Sequence, residues 1–328
     1  MKILVVGLGS MGKRRIRLLQ RFTEIELIVG IDGREDRREE SGNLYGIETY
    51  RSIDEALNVH ADIDSSFVCT SPLSHAGIIK TLLTAGLNVF TEINLVKDSY
   101  EENIKLAKEQ NVTLFLSSTF YYREEIQYIR EKIAGRTKLN YVYHIGQYLP
   151  DWHPWENYKD FFVGNKRTNG CREIMAIELP WLTGTFGAVK KCNVLSDKIT
   201  NLNIQYSDNY MIQLVHENGN KGTLIVDIVS PKAVRNLEVY GENIYYSWNG
   251  SPTTLEEFVL ETKSVEKVKL HEDAEHIEGY GSFITENAYQ NEIREFIDVV
   301  SGKRNPLYGF EQDLIVLNLI DKIEGTTI

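Results

Sequence analysis

Gly7-Leu8-Gly9-Ser10-Met11-Gly12 has the residue types and spacing of a turn that cradles phosphates. The first glycine permits a tight turn, the second lets a pyrophosphate approach the backbone, and the third allows a helix to pack closely on a strand. The turn follows the apolar run Lys2–Val6 directly and opens a segment of helical spacing. Unpaired N–H groups and the positive end of a helix dipole would then face the phosphates. Asp32 comes 20 residues after Gly12, at the end of the next apolar run, placed to accept ribose hydroxyls. These residues predict a dinucleotide cofactor held by Gly7, Gly9, Ser10, Met11, Gly12 and Asp32. A carboxylate at 32 favours NAD, while Arg34, Arg37 and Arg38 leave NADP open as partners for a 2′-phosphate.

Other candidates lie further along. The segment from Tyr148 to Tyr158 carries Trp152, His153 and Trp155 among two prolines, and continues to Phe161-Phe162. Aromatic faces stack on sugar rings and the interleaved His, Asp and Asn offer donors and acceptors, so a carbohydrate-like ligand fits. A packed loop or an oligomer contact is the competing account. His153 is the histidine best suited to acid–base work, and Tyr121 would protonate an alkoxide given a cation to lower its pKa. The run His271 to His276 reads as a solvated charged loop, and Cys69, Cys171 and Cys192 lack metal-ligand spacing, so no metal site is expected.

These residues need a frame, and the hydrophobic periodicity supplies one. In the first 120 residues, short β-branched runs at 2–6, 26–31, 66–69, 88–91 and 113–117 alternate with helical segments at 12–22, 52–58, 75–85 and 100–110. That alternation predicts a parallel sheet with crossover helices, and Ser52 with Glu55 forms a capping-box pattern. After Leu139, runs at 140–147, 200–206, 210–217, 222–230, 233–240, 243–248 and 258–262 succeed one another across turn signals, predicting a mostly antiparallel sheet. Helices are expected at 171–186, 285–300 and 311–323. The fold class is therefore α/β: a doubly wound Rossmann domain over 1–119, then an α+β substrate-binding and oligomerisation domain with an open sheet over 120–328.

Composition narrows the partners. With 36 Lys plus Arg against 47 Asp plus Glu the net charge is −11, a field that repels nucleic acid and anionic membranes. No apolar run reaches a signal-peptide core or a membrane span, and the odd, scattered cysteines suit a reducing cytoplasm.

Three further stretches make the chain resemble the Gfo/Idh/MocA family of nucleotide-dependent oxidoreductases. Cys69-Thr70-Ser71-Pro72-Leu73-Ser74-His75 is similar to the family's strand-end segment beside the nicotinamide. Ala85 to Glu92 resembles the approach to its Glu-Lys-Pro motif, and Asn169-Gly170-Cys171 through Glu178 resembles the opening of its substrate-domain helix. The resemblance implies that Thr70, Ser71, Pro72, His75 and Glu92 line the cofactor, and Arg34 joins the candidates through its place just after Asp32. The motif departs at Glu92-Ile93-Asn94, where isoleucine stands in place of the lysine, and the family's Asp and His positions hold Ile174 and Glu178.

Helical spacing allows a replacement: Ile174 and Glu178 share a face, and Glu173 lies ~100° away from Ile174. Glu178 is expected as acid or base if burial raises its pKa, followed by Tyr121 and His153, with Arg172, Glu173, Trp152 and Trp155 binding substrate. The expected function is NAD(P)-dependent oxidation or reduction of a sugar, nucleotide sugar or related hydroxy acid, in polysaccharide or sugar-nucleotide metabolism. Two alternatives stay open: a non-catalytic dinucleotide- or sugar-binding protein, and an enzyme whose tightly bound nicotinamide cycles within a net non-redox reaction. The open sheet, rich in Ile, Leu, Val and Tyr, is expected to pair copies into a homodimer or homotetramer.

Overall fold

The computed structural model of the chain describes residues 1–152, 156–270 and 285–325. They divide into two compact units, one of 1–118 with 289–314, the other of 119–288 with 315–328. The chain passes from one unit to the other at 118–119, and Tyr289–Leu314 groups with the first unit.

The first unit runs β1 (Lys2–Val6), α1 (Ser10–Leu19), β2 (Leu27–Ile31), α2 (Glu35–Tyr45), β3 (Glu48–Tyr50), α3 (Ile53–Val59), β4 (Ser65–Val68), α4 (His75–Thr84), β5 (Asn88–Thr91), α5 (Tyr100–Gln110) and β6 (Leu114–Leu116). Its six strands, all parallel, stand in the order β3-β2-β1-β4-β5-β6, the doubly wound order whose reversal point lies between β1 and β4. Strands buried on both faces read as continuous apolar runs, which is why the sequence exposed them. Phe67, Phe90 and Phe115 stack across neighbouring strands, and Phe296 meets all three edge-on at 5.2–5.7 Å. That aromatic wedge is what returns the late segment to this unit.

Two elements here had no apolar signature. Helix α2 buries only Ser41, and β3 is three residues long at the sheet edge. The cap on α3 forms as expected, Ser52 Oγ accepting from the Glu55 N–H at 3.2 Å, but the reciprocal arm of Glu55 accepts from Arg51 N–H rather than from Ser52.

The second unit begins with a single 3-10 turn at Thr119–Tyr122 and α6 (Glu124–Lys132), then β7 (Asn140–Gly146) and α7 (Gly170–Phe186). Strands β8 (Val189–Asp197), β9 (Asn209–His216), β10 (Lys221–Asp227), β11 (Val234–Gly241), β12 (Ile244–Trp248), β13 (Glu256–Val259) and β14 (Ser264–Lys267) follow. Two helices close the chain, α8 (Glu286–Val300) and α9 (Phe310–Glu324). The sheet order is β14-β13-β12-β11-β7-β10-β9-β8, antiparallel except where β7 meets β10. Helix α7 covers one face through Tyr141 stacked on Phe186 and Tyr143 edge-on to Trp181. The opposite face leaves Val142, Leu195, Met211 and Tyr240 exposed.

The expected strand at 200–206 is a loop. Leu202, Ile204 and Tyr206 are buried in alternation and so mimic a strand, but Asp208 fastens the backbone by accepting from the N–H groups of Ile199 and Thr200. The real edge strand, β8, carries Lys190, Lys191 and Asn193 and has too little apolar patterning to announce itself.

Candidate functional site

The glycine turn is built as its chemistry demands. Gly7 sits at φ +95°, its N–H donating to Ile31 C=O at 2.8 Å, and a Cβ there would lie 2.7 Å from the Cys69 carbonyl oxygen. A Cβ on Gly12 would lie 1.9 Å from the Gly7 carbonyl oxygen. The fold itself therefore demands both. Gly9 is different: a Cβ there would meet nothing nearer than the Arg37 guanidinium at 3.7 Å, so its freedom is left for a ligand. It is also the N-cap of α1 and brings no side chain to the first-turn amides at Ser10 and Met11. The backbone fits a pyrophosphate.

Asp32 stands beside this turn, accepting from the N–H groups of Leu8 and Arg34 at 2.9 Å each, with the Arg37 guanidinium 3.6 Å away. Arg34 faces Asp36 in a bidentate pair that holds that carboxylate down at about 2. Arg37, which received less weight in the sequence, is the arginine nearest to Gly9.

At the end of β4, Thr70 and Ser71 lead into the 3-10 turn Pro72–Ser74, pinned by the Ser74 hydroxyl bonding to Thr70 and Ser71. His75 is buried below, its Nε2 donating to the Thr70 carbonyl at 2.9 Å and its Nδ1 2.8 Å from the Asn94 amide. Burial lowers its pKa against the pull of those hydrogen bonds, so the ring is neutral. His75 thus holds the Thr70–Ser74 turn from below.

Glu92, expected beside the nicotinamide, is locked from below. Arg15 on α1 donates to it through Nε at 2.6 Å and Nη2 at 3.2 Å, and reaches Glu292 at 2.7 Å. Glu292 also accepts from Ser117 Oγ and from the Ser118 N–H. Burial pushes the Glu292 carboxyl up while Arg15 opposes it. The sequence reading did not include Arg15 or Glu292. Arg15 had one legible sign, a charged residue three positions after Gly12 on the face of α1 that must pack on the sheet.

The second unit corrects several expectations. Glu178 is completely buried and fully engaged: Arg235 pairs with Oε1, while Tyr143 Oη and Trp181 Nε1 donate to Oε2 at 2.7 Å each. Both of its carboxyl oxygens are thus occupied by partners from its own unit. Arg172 is committed to Asp321 at 2.6 Å and to Glu324, so its charge is not open to a substrate anion. Tyr121 wedges against α7, where a Cβ on Gly184 would fall 1.7 Å from its hydroxyl. Burial raises its pKa and outweighs the Arg130 guanidinium over its ring, the reverse of what a proton donor needs. Trp152 donates to the Gln147 carbonyl and lines, with Leu149 and Phe161, a cavity of about 10 Å³, roughly the room one water requires. No sugar ring fits there. His153 and Trp155 lie outside the described residues, as does the run 271–276. Among the described residues no acidic, His and Cys cluster suits a metal.

Glu173 stands apart. It is partly exposed in the first turn of α7, yet its Oε2 is occluded and has no hydrogen-bond partner. Burial alone pushes its carboxyl up to about 8.

A doubly wound sheet whose first turn is open only at its middle glycine defines a nucleotide-binding Rossmann unit, joined here to an open-sheet α+β unit. Residues 1–118 match the model of the Gfo/Idh/MocA oxidoreductase family, NAD-binding Rossmann fold. No curated protein matches the chain in sequence. Among solved structures, UDP-N-acetylglucosamine 3-dehydrogenase from Acidithiobacillus ferrooxidans is 16% identical with a TM-score of 0.77, over 100% of this chain and 97% of its own. A levoglucosan dehydrogenase in complex with NADH is 14% identical with a TM-score of 0.81, over 99% and 96%. Biliverdin reductase from Synechocystis, in complex with biliverdin and NADP+, is 17% identical with a TM-score of 0.75, over 98% and 97%. At these identities the likeness establishes the fold, and the spread of substrates among them means the fold does not name one.

Proposed function

We propose that the protein is an NAD(P)-dependent oxidoreductase acting on a secondary alcohol or the matching carbonyl of a sugar, nucleotide sugar or related hydroxy acid. The observation that carries this reading is the glycine turn. Two glycines are demanded by packing, while Gly9 is left open at the N-terminus of an uncapped helix. In this reading Gly7, Gly9, Ser10, Met11 and Gly12 hold the pyrophosphate, Asp32 and the arginines the adenosine ribose, and Thr70, Ser71, Pro72 and Glu92 the nicotinamide side. A bound nicotinamide supplies or accepts the hydride. The sugar dehydrogenases of like fold support the substrate class, and the reduced cysteines support a cytoplasmic setting. No helix among the described residues is long and apolar enough to cross a membrane. The exposed apolar residues on the outer sheet face support pairing of two copies there.

The test is a titration with NADH and NADPH, following tryptophan quenching and nicotinamide fluorescence. Micromolar binding that falls at least ~10-fold in Gly9→Val, with an unchanged far-UV spectrum, is expected. Absence of binding to protein verified free of cofactor overturns the reading. A second reading, a nucleotide-binding protein without catalysis, has support in the engagement of Glu178 and Arg172 by structural partners, and turnover separates the two.

A further inference from the structure

The His75 ring is enclosed by acceptors. Its Nε2 lies 2.9 Å from the Thr70 carbonyl and its Nδ1 2.8 Å from Asn94 Oδ1. Thr91 Oγ1, whose own proton goes to the Glu92 carbonyl, stands 3.4 Å from the same Nδ1. A neutral imidazole carries one N–H, so it serves Thr70 or Asn94 but not both. With the proton on Nε2, the Nδ1 lone pair faces the Asn94 oxygen, a contact that only a second proton or an overturned amide relieves.

Asn94 is 4% exposed and passes this shortage on. Its Nδ2 is sealed from solvent without a hydrogen-bond partner, though near enough to the Tyr100 hydroxyl to favour that phenol's anion. Tyr100 in turn donates to Asp313 Oδ2 at 2.5 Å, and Tyr308 to Oδ1 at 2.7 Å. The groups from Thr70 to Asp313 therefore form one buried polar chain inside the first unit.

With His75 neutral and Asp313 ionised, that chain has one donor too few. A proton on His75 lets the ring donate at both nitrogens, while Asn94 Nδ2 serves the Tyr100 oxygen. A proton on Asp313 works from the other end: Asp313 donates to Tyr100, Tyr100 to Asn94 Oδ1, and the overturned Asn94 amide to His75 Nδ1. Either way the His75 Nε2–H stays on Thr70. The charged group bearing on His75 is Glu92, itself paired with Arg15, and it favours the imidazolium against burial. The groups facing Asp313 are the two phenols, and burial raises its carboxyl to about 6 against them.

We propose, on the oxidoreductase reading above, that one proton shared between His75 and Asp313 through Asn94 and Tyr100 clasps the Thr70–Ser74 turn and so sets cofactor affinity. With the proton present, Nε2–H is committed to the Thr70 carbonyl and the turn is held for the nicotinamide side of the cofactor. When the proton leaves to solvent, Asn94 competes for the single remaining N–H and the turn loosens. Asp313, Tyr100 and Asn94 are positioning residues, acting through His75.

The experiment uses the full chain and two readouts. NADH affinity, followed by nicotinamide fluorescence, should weaken about three- to tenfold in wild type from pH 5.5 to pH 8.5, the worth of one hydrogen bond. In Asp313→Asn, whose amide supplies the lacking donor at every pH, the profile should be flat at the tight end. A merely structural role would change affinity equally at all pH values. Independently, the His75 ring nitrogens are titrated by nitrogen-15 NMR, assigned through their contacts with Thr91 and Asn94. Their midpoint should shift in both Asp313→Asn and Tyr100→Phe. A flat wild-type profile, a profile that Asp313→Asn leaves unchanged, or a His75 titration identical in all three proteins overturns the proposal. Failure of wild type to bind NADH overturns the reading on which it rests, and the His75 titration then still decides whether the proton is shared.

Discussion

Replacing Asp313 with asparagine should flatten the pH dependence of stability between about pH 4 and 6. Asp313 opens α9 in the first unit, completely enclosed, its carboxylate accepting from Tyr100 Oη at 2.5 Å and Tyr308 Oη at 2.7 Å. Burial raises its pKa from 3.8 to about 6, against the opposing pull of both phenols. A carboxyl whose pKa is raised on folding contributes its stability below the unfolded value and loses it as pH rises through the folded value. The difference of about two units corresponds to about 3 kcal/mol between pH 3 and pH 7. Asparagine keeps the shape and cannot ionise, so the variant lacks this loss. Urea unfolding at a series of pH values, wild type against Asp313→Asn, isolates the contribution because every other titrating group is common to both. A stability difference that stays constant from pH 4 to pH 7 would refute the assignment, since it would mean the carboxyl ionises as easily folded as unfolded.

Arg15→Met should destabilise the protein by about 3–5 kcal/mol in the same assay, because it leaves Glu92 and Glu292 buried together without their cation. An effect under 1 kcal/mol would show the cluster to be solvated. Glu178→Gln should lower stability by about 3 kcal/mol through the abandoned Arg235 charge while sparing NADH affinity. Unchanged stability with lost turnover would restore Glu178 to the chemistry. Met211→Lys, placed on the open sheet face, should reduce the mass seen by light scattering to that of one chain. A monomeric wild type at micromolar concentration removes that reading.

Much of the first unit was legible because its physics is local. A parallel strand buried on both faces is a short apolar run, and a phosphate turn needs glycines at fixed intervals, so Gly7, Gly9, Gly12 and the run 88–91 declared themselves. Helix α2 and strand β8 did not, since one buries a single serine and the other lies at an edge where polar side chains are tolerated. The segment 200–206 misled for a related reason: burial alternates along it, but alternation records which side chains are covered and not whether the backbone is paired.

The candidate site divides along the same line. Residue identities alone determined that a glycine turn of dinucleotide type is present, that isoleucine stands at 93, and that an acid stands at 178. Only the tertiary structure decided what those acids are free to do. Glu178, Arg172 and Glu92 are engaged by Arg235, Asp321, Glu324 and Arg15, partners 57, 149, 152 and 77 residues away. Glu173 has none for its sealed oxygen. A carboxylate's protonation depends on the donors and solvent around it, and those arrive from distant segments, so the type of a residue fixes what it can do and the fold fixes whether it does it.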